Sequence, residues 1–140
     1  QRRLLLKKLE EALWITKDKM IGVLGLSFKP DTDDIRNSLA LDMIRMLQQA
    51  GANIRAYDPK AMPKCKTELS SVTFCKDAYD AVKGSHCLLV MTEWNEFKNL
   101  DWQRIKKLLR QPILVDGRNM YDPETMKSLG FIYLCIGRSR

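Results

Sequence analysis

The sequence lacks the residues and motifs of several common functional classes. It contains a single histidine, His86, and four cysteines without a CxxC pair, so closely spaced ligands for a structural zinc ion are missing. Its longest apolar runs, such as 87–91, are far shorter than the ~20 residues that a membrane-spanning helix needs. Neither a GxGxxG fingerprint nor a P-loop occurs. We therefore expect no metal site, no membrane association and no ordinary dinucleotide site.

The scattered cysteines are expected to be reduced thiols without a catalytic role. Cys87 and Cys135 lie within apolar runs, where a free cysteine behaves as a small apolar residue. A reactive cysteine needs an accessible, electropositive environment, and nothing around Cys65 or Cys75 indicates one. Unpaired thiols are typical of cytoplasmic proteins, which is the location that we expect.

Basic residues outnumber acidic ones, with 24 Lys and Arg against 17 Asp and Glu and a net charge of +7. Residues 1–19 hold six basic and three acidic side chains, so +3 of this excess lies in the leading segment. A second basic cluster, 104–110, falls on a predicted helix, where a solvated face is the usual explanation. Neither cluster carries interleaved aromatics or a nucleic-acid-binding signature. The charge favours anionic small molecules as ligands, and nucleic acid is not an expected partner.

Apolar runs and helical periods alternate along the chain. Leucines at three- and four-residue spacing predict a helix over 2–14, and the sequence identifies no surface in this chain for it to pack on. Further elements are expected at 21–26, from Ser38 to Ala50, and at 53–57, 72–74, 77–82, 86–91, 101–109, 112–115, 123–129 and 131–134. Regular strand–helix alternation predicts an α/β fold, a Rossmann-like, doubly wound and mainly parallel sheet preceded by a helix.

Three loops follow predicted strands and should converge, because parallel strands end at one edge of their sheet. The first loop, 25–38, carries Lys29 and Arg36 ahead of a helix N-terminus, whose free amides favour an anion. The alternative is a solvated loop in which these basic residues pair with neighbouring aspartates. Both interpretations are open from composition alone.

The other two loops offer aromatic and basic side chains. In 92–97, Glu93 and Trp94 are a candidate pocket wall for a base or a sugar, although aromatics at a strand end more often close the core. In 116–119, the planar donor fork of Arg118 suits phosphate or ribose, and a buried Arg–Asp pair is the alternative.

Asp58 ends the second predicted strand, where Rossmann proteins hold a ribose hydroxyl. Pro59 follows it, so a turn is an equal alternative. Convergence of the loops predicts a crevice for a nucleoside diphosphate, formed by Lys29, Arg36, Trp94 and Arg118. No nucleophile, metal cluster or acid–base pair accompanies these residues, so catalysis by this chain alone is not expected.

Five motifs resemble, in order and spacing, the C-terminal domain of the UDP-glucose/GDP-mannose dehydrogenase family: GLSFKPDTDDIRNS, YDP, TEWNEF, DGRNMYDP and GFIYLCIGR. The resemblance extends from Lys19 to Arg138. TEWNEF and DGRNMYDP look most like the members that oxidise UDP-glucose. The resemblance implies that 1–18 are the end of a central linker helix and that 19–140 form a UDP-sugar-binding domain.

The resemblance also implies roles for single residues. Phe28 and Lys29 match the family's substrate-contacting pair, and Arg118 matches an arginine that holds the UDP moiety. Arg36 matches an arginine that reaches NAD, a cofactor that the family binds mainly in its N-terminal domain. The family's catalytic cysteine, lysine and aspartate lie in an upstream part that this chain does not contain. The resemblance therefore assigns no catalytic residue here.

For the whole protein, the resemblance implies an NAD-dependent, homo-oligomeric enzyme of nucleotide-sugar metabolism and polysaccharide biosynthesis. It would convert UDP-glucose to UDP-glucuronate in two successive oxidations. The N-terminal domain of the same protein would be the partner of the domain formed by residues 19–140. Two alternatives stay open. One is the same domain of a GDP-mannose or UDP-N-acetylmannosamine dehydrogenase, and the other is a non-catalytic nucleotide-binding module.

Overall fold

The computed structural model describes residues 2–135. The strands are β1 (Met20–Leu24), β2 (Asn53–Tyr57), β3 (Val72–Phe74), β4 (Cys87–Val90), β5 (Ile113–Asp116) and β6 (Ile132–Cys135). The helices are α1 (Arg2–Leu13), α2 (Leu39–Gln49), α3 (Met62–Glu68), α4 (Ala78–Val82), α5 (Asn95–Lys98), α6 (Trp102–Leu108) and α7 (Pro123–Ser128). The last part of the GFIYLCIGR motif and of the expected 19–140 domain, residues 136–140, lies outside the described residues.

The six strands form one parallel sheet in the order β3-β2-β1-β4-β5-β6. The chain runs outward from β1 to β3, returns to the centre and continues in the opposite direction from β4 to β6. This reversal makes β1 and β4 neighbours, with Leu24 opposite Val90 at their carboxyl ends. The predicted Rossmann-like fold class is confirmed. In doubly wound sheets, ligands bind at such a reversal point.

Both faces of the central strands are buried. Ile21 and Val23 of β1 belong to a core shared with α1, α2 and α3, whereas Leu24 belongs to a second core with α4 to α7. All four residues of β4 are buried. A strand covered on both faces has no solvent side, which explains why β4 is a continuous apolar run without alternation.

Helix α1 packs against the sheet. Leu5 and Leu9 are fully buried, Leu13 is 4% exposed, and all three share the first core with Ile113 and Val115 of β5. The helix contacts α2 and β6, so it covers the part of this face that lies beyond α2. The expectation that α1 finds no surface in this chain is wrong, because an apolar stripe shows that a helix packs but not where. A division between linker and domain at residue 18 stays a prediction.

The sequence does not predict two of the helices. Helix α3 lies in a polar segment, and Cys65 is its buried residue, so no apolar stripe marks it. Helix α5 is a single turn within the second loop. The bounds of the predicted elements agree with the structure to within two residues. Ser38 caps α2 as expected, because its hydroxyl accepts a hydrogen bond from the N–H of Leu41.

Candidate functional site

The loops after β1 and β4 lie against each other at the carboxyl edge of the sheet. The hydroxyl of Thr92 donates to the carbonyl of Ser27 at 2.8 Å. Gly25 has φ +93°, and a Cβ there would lie 2.5 Å from the backbone nitrogen of Thr92. Both the left-handed backbone and the missing side chain are therefore needed for the two loops to meet.

Phe28 and Lys29 lie at the exposed turn of the first loop. Phe28 is 48% exposed, and its N–H donates to the carbonyl of Asp34 at 2.6 Å. Lys29 is exposed, and no residue in the described part of the chain forms a hydrogen bond or ion pair with it. Its ammonium group is thus available to an anion that enters the edge of the sheet.

Arg118 pairs with Glu93 across the loops after β5 and β4. Its Nε donates to Oε1 of Glu93 at 3.1 Å and its Nη2 to Oε2 at 3.4 Å. The side chains are 33% and 34% exposed. An ion pair does form, as the alternative interpretation expects, but the partner of Arg118 is a glutamate of another loop, and both side chains are about one third exposed. Such pairs contribute only about 0–1 kcal/mol to stability, so phosphate oxygens can replace Glu93 at small cost.

Asp116 holds the backbone of the loop that carries Arg118. Its carboxylate is fully buried and accepts from the N–H groups of Arg118, Met120 and Tyr121 at 3.0, 2.8 and 3.0 Å. The Tyr133 hydroxyl donates to it at 2.6 Å. The buried carboxylate of Asp116 therefore fixes the backbone at the start of this loop, while the Arg118 guanidinium bonds to Glu93.

Asp58 is also fully buried. Both of its oxygens accept hydrogen bonds from the loops after β1 and β2. A ribose hydroxyl would have to reach this carboxylate, but the carboxylate is covered and both of its oxygens are already bonded. The hypothesis of a ribose-binding aspartate is therefore wrong, and the turn alternative is the one that the structure supports.

Trp94 and Phe97 close the end of the second core, with 6% and 0% exposure. This is the alternative that their position at a strand end favours. The indole N–H of Trp94 donates to Oδ2 of Asp58 at 3.2 Å. Trp94 offers almost no surface to a ligand in this arrangement, so of the two candidate wall residues Glu93 is the one within reach of solvent.

Arg36 lines a groove of about 420 Å³ between the first loop, α2 and the end of α3, and neither Lys29 nor Arg118 is among the residues that line it. Its side chain is 86% exposed and pairs with Asp34 at 2.9 Å, as the solvated-loop alternative predicts. Hydrogen bonds from the side chain and backbone of Arg36 hold the pKa of Asp34 well below its usual value, so this pair is charged at neutral pH.

The cysteines lie in the interior. All four are free and buried. Burial raises the pKa of Cys65 to about 12 and raises the pKa values of Cys75 and Cys87 as well. Thiols held in the protonated form are poor nucleophiles.

In residues 2–135, no three His, Cys, Asp or Glu side chains are grouped to hold a metal ion. No helix within the same range has the length and apolar character to cross a membrane.

The site does not fit NAD bound in the usual Rossmann manner. The loop after β1 has Gly22 and Gly25 without the remainder of the GxGxxG fingerprint. The acidic residue at the end of β2, Asp58, has no acceptor left for a ribose. The one cofactor contact that the sequence predicts, Arg36, lines the groove beside α2.

The two buried aspartates organise the loops further than their sequence positions reveal. Asp58 precedes Pro59 and Asp116 precedes Gly117, each at the carboxyl end of a strand. An aspartate in that position commonly accepts from backbone N–H groups two residues on. This signal predicts local turns, but it does not reveal the bonds that Asp58 makes to a distant loop.

Known proteins are similar to this chain in sequence and in fold. A sequence profile described as "UDP-glucose/GDP-mannose dehydrogenase family, UDP binding domain" matches residues 22–123. The chain is 42% identical over 139 residues to UDP-glucose 6-dehydrogenase TuaD of Bacillus subtilis (strain 168), covering 99% of this chain and 30% of that protein. It is 42% identical over 118 residues to UDP-glucose 6-dehydrogenase of Rhizobium meliloti (strain 1021), covering 84% and 27%.

A solved structure agrees with these sequence relatives. The UDP-glucose dehydrogenase from the hyperthermophilic archaeon Pyrobaculum islandicum superposes with a TM-score of 0.80 at 33% identity, over 95% of this chain and 28% of that one. The chain thus spans less than a third of the length of these relatives. The resemblance seen in the motifs is confirmed: the chain belongs to the UDP-glucose/GDP-mannose dehydrogenase family and corresponds to its UDP binding domain.

Proposed function

We propose that this chain binds the UDP part of UDP-glucose and UDP-glucuronate, and that the full-length protein is an NAD-dependent UDP-glucose 6-dehydrogenase. The observation that carries the proposal is the placement of two basic side chains, Lys29 and Arg118, on loops that flank β4 at the reversal point of the sheet. That point is where a doubly wound sheet binds its ligand.

The two basic residues suit a diphosphate in different ways. Lys29 supplies a mobile point charge that has no protein partner in the described residues. Arg118 supplies a planar fork that binds phosphate oxygens in pairs, once they replace the carboxylate of Glu93. The half-exposed ring of Phe28 adjoins Lys29 and offers an apolar contact to the base or the sugar.

We propose that NAD is held mainly by an N-terminal domain and that Arg36 of this chain contacts it. The exposed guanidinium of Arg36 supports this role. Its ion pair with Asp34 lies on a surface loop, where a cofactor held by another domain can reach it. NAD supplies the hydride acceptor for the oxidation. Residues of this chain bind and orient the nucleotide, and its four cysteines are buried away from a ligand at the surface.

The N-terminal domain and a second copy of the chain are the proposed protein partners, in a homo-oligomer. Trp14 and Ile15 at the end of α1 are 91% and 65% exposed. Contiguous exposed apolar surface is typical of contact sites, and these two adjacent side chains support an interface at the end of α1.

The identity of the sugar is the part of the proposal for which a related structure offers an alternative. A UDP-D-MAnNAc dehydrogenase structure from Pyrococcus horikoshii is 30% identical with a TM-score of 0.74, so the fold accommodates related substrates. Turnover of UDP-glucose, UDP-N-acetylmannosamine and GDP-mannose by the full-length protein distinguishes them. We expect UDP-glucose to have the highest kcat/KM. A higher kcat/KM for UDP-N-acetylmannosamine or GDP-mannose would make that compound the assigned substrate and would reject UDP-glucose.

Calorimetric titration of the full-length protein with UDP, UDP-glucose, GDP and NAD tests the nucleotide site. We expect selective binding of the uridine nucleotides. Since a hydrogen bond to a charged group contributes about 1.5–3 kcal/mol, Lys29→Ala and Arg118→Ala should each weaken UDP binding about tenfold or more. Lys107→Ala is the matched control, because it removes one positive charge from the last turn of α6, at the opposite edge of the sheet.

The control distinguishes a local contact from the general attraction of a basic protein. If Lys107→Ala weakened UDP binding as much as Lys29→Ala, net charge and not the proposed site would explain the affinity. If the full-length protein bound GDP as tightly as UDP, the assignment to UDP would be wrong.

A further inference from the structure

One buried side chain, Asp58, joins three loops at the carboxyl edge of the sheet. Its Oδ2 accepts from the N–H groups of Leu26 and Ser27 at 2.7 and 3.1 Å and from the Ser27 hydroxyl at 3.3 Å. The same oxygen accepts from the indole N–H of Trp94 at 3.2 Å. Its Oδ1 accepts from the N–H groups of Lys60 and Ala61, both at 2.8 Å. The loops after β1, β2 and β4 thus meet at one carboxylate.

The surroundings of Asp58 match a carboxylate and no other side chain of that size. Every group in contact with its two oxygens is a donor in these bonds. An asparagine has one acceptor oxygen, and its NH₂ group would face donors wherever the amide is turned. Because Asp58 is fully buried, water cannot replace the lost acceptor, and unpaired buried donors are strongly unfavourable.

The contacts of Asp58 lie next to the proposed nucleotide-binding side chains. Ser27 directly precedes Phe28, and Lys29 is the residue after that. Trp94 directly follows Glu93, the present partner of Arg118. The residues that Asp58 contacts are therefore one or two positions in the sequence from Phe28 and Lys29, and one position from the ion-pair partner of Arg118.

The carbonyl groups of the first loop are held as firmly as its N–H groups. The carbonyl of Leu26 accepts from the Ser38 hydroxyl at 2.7 Å, and the carbonyl of Ser27 accepts from the Thr92 hydroxyl at 2.8 Å. Residues 26–27 are thus fixed on both sides before a ligand arrives. A loop ordered in advance does not have to be ordered at the expense of binding free energy.

We propose that Asp58 is a positioning residue for nucleotide binding, which acts by holding Lys29, and through Glu93 its partner Arg118, in the arrangement that receives the diphosphate. This inference rests on the proposed function, since it concerns the same site. It goes beyond that function by assigning the geometry of the site to one residue that does not touch the ligand.

Calorimetric UDP titration of the full-length protein carrying Asp58→Asn tests the role. We expect about tenfold or more weaker binding, comparable with loss of the Lys29 contact itself. Asp77→Asn is the matched control: Asp77 follows β3 at the same edge and accepts from the N–H of Asp80 at 2.7 Å, but it makes no bond to these loops in the described structure. We expect that control to bind UDP like the parent protein.

A double-mutant cycle separates positioning from a general loss of stability. If Asp58 acts through Lys29, Lys29→Ala should weaken binding less than about twofold in the Asp58→Asn background, against about tenfold in the Asp77→Asn background. Additive effects of Asp58→Asn and Lys29→Ala would overturn the proposal.

Hydrogen–deuterium exchange of the parent protein provides a test that does not depend on the folding of a variant. We expect the amides of Leu26 and Ser27 to be as protected without UDP as those of β1, because their acceptor is internal. Rapid exchange that slows only when UDP is added would show a loop ordered by the ligand and would refute the proposal.

The outcomes distinguish this inference from the proposed function. Absence of UDP binding by the parent protein, with Leu26 and Ser27 protected, would reject the nucleotide site and with it any role of Asp58 in binding. UDP binding that Lys29→Ala weakens and Asp58→Asn does not would retain the site and reject the positioning role.

Discussion

Single carboxylates have opposite roles at this site, depending on burial. Asp58 and Asp116 are inaccessible and accept only from protein donors, so they determine where loops lie. Asp34 and Glu93 reach the surface and pair with arginines, so a ligand can compete for their partners. The sequence identifies Arg118 and its possible ion pair, but not which acid it meets, because Glu93 is 25 residues away.

His86, the single histidine of the chain, should make folding stability depend on pH. Its Nδ1 accepts from the N–H of Met20 at 3.0 Å, at the start of β1. Burial, together with the nearby positive charges of Lys19 and Arg110, lowers the pKa of His86 below 6.5. The folded state thus binds this proton less readily than the unfolded state, so the contribution to stability is complete above pH ~6.5 and is lost as pH falls towards the lowered pKa.

Thermal unfolding between pH 8 and pH 5 checks this expectation. The Tm of the parent chain should fall more steeply below pH ~6.5 than that of His86→Gln, whose amide oxygen can accept the same bond without titrating. Parallel curves for the two proteins would show that His86 does not contribute to the acid sensitivity.

At the scale of elements, α1 is the part whose role changes most between sequence and structure. Its charge pattern and leucines predict an amphipathic helix, and the structure places the leucines on the first core. Helix α3 illustrates the reverse case. It has no apolar stripe and forms because it follows the turn at Asp58 and buries Cys65.

Leucine-to-alanine substitutions within α1 test whether this helix is part of the folded domain. Leu9 is fully buried and Leu4 is 46% exposed on the same helix. We expect Leu9→Ala to lower the free energy of unfolding by about 2–5 kcal/mol, because it leaves a cavity between helix and sheet. Leu4→Ala should change it by no more than about 0.5 kcal/mol.

Urea unfolding of the 140-residue chain provides the measurement for both variants. Similar small effects of Leu9→Ala and Leu4→Ala would mean that α1 is detached in solution and would favour the boundary at residue 18.

At the scale of the whole molecule, the described residues place two cations and an aromatic ring at the carboxyl edge of the sheet and bury every cysteine. The loops after β1 and β5 supply Lys29, Phe28 and Arg118, and the thiols lie in the two cores. The relatives that share its sequence are more than three times as long. This division favours a protein whose reacting groups lie in a part that this chain does not contain.

The isolated 140-residue chain should therefore be catalytically silent. With UDP-glucose and NAD supplied in excess, we expect no NADH absorbance above the rate of a protein-free control, because a buried thiol with a pKa of about 12, such as that of Cys65, is not a usable nucleophile. The full-length protein under the same conditions is the positive control. Steady NADH formation by the chain alone would show that a catalytic group had been overlooked.

The fold class, the approximate bounds of most elements and the family can be recognised in the amino-acid sequence alone. These depend on local periodicity, on strand-to-helix alternation and on motifs read along the chain. Four features are visible only in the folded chain: α1 covers the sheet, Arg118 meets Glu93, Arg36 lines a groove beside α2, and Asp58 joins three loops. All four have one cause. A side chain's partners across the fold are set by how strands are ordered in the sheet, which brings together residues that no spacing in the sequence relates.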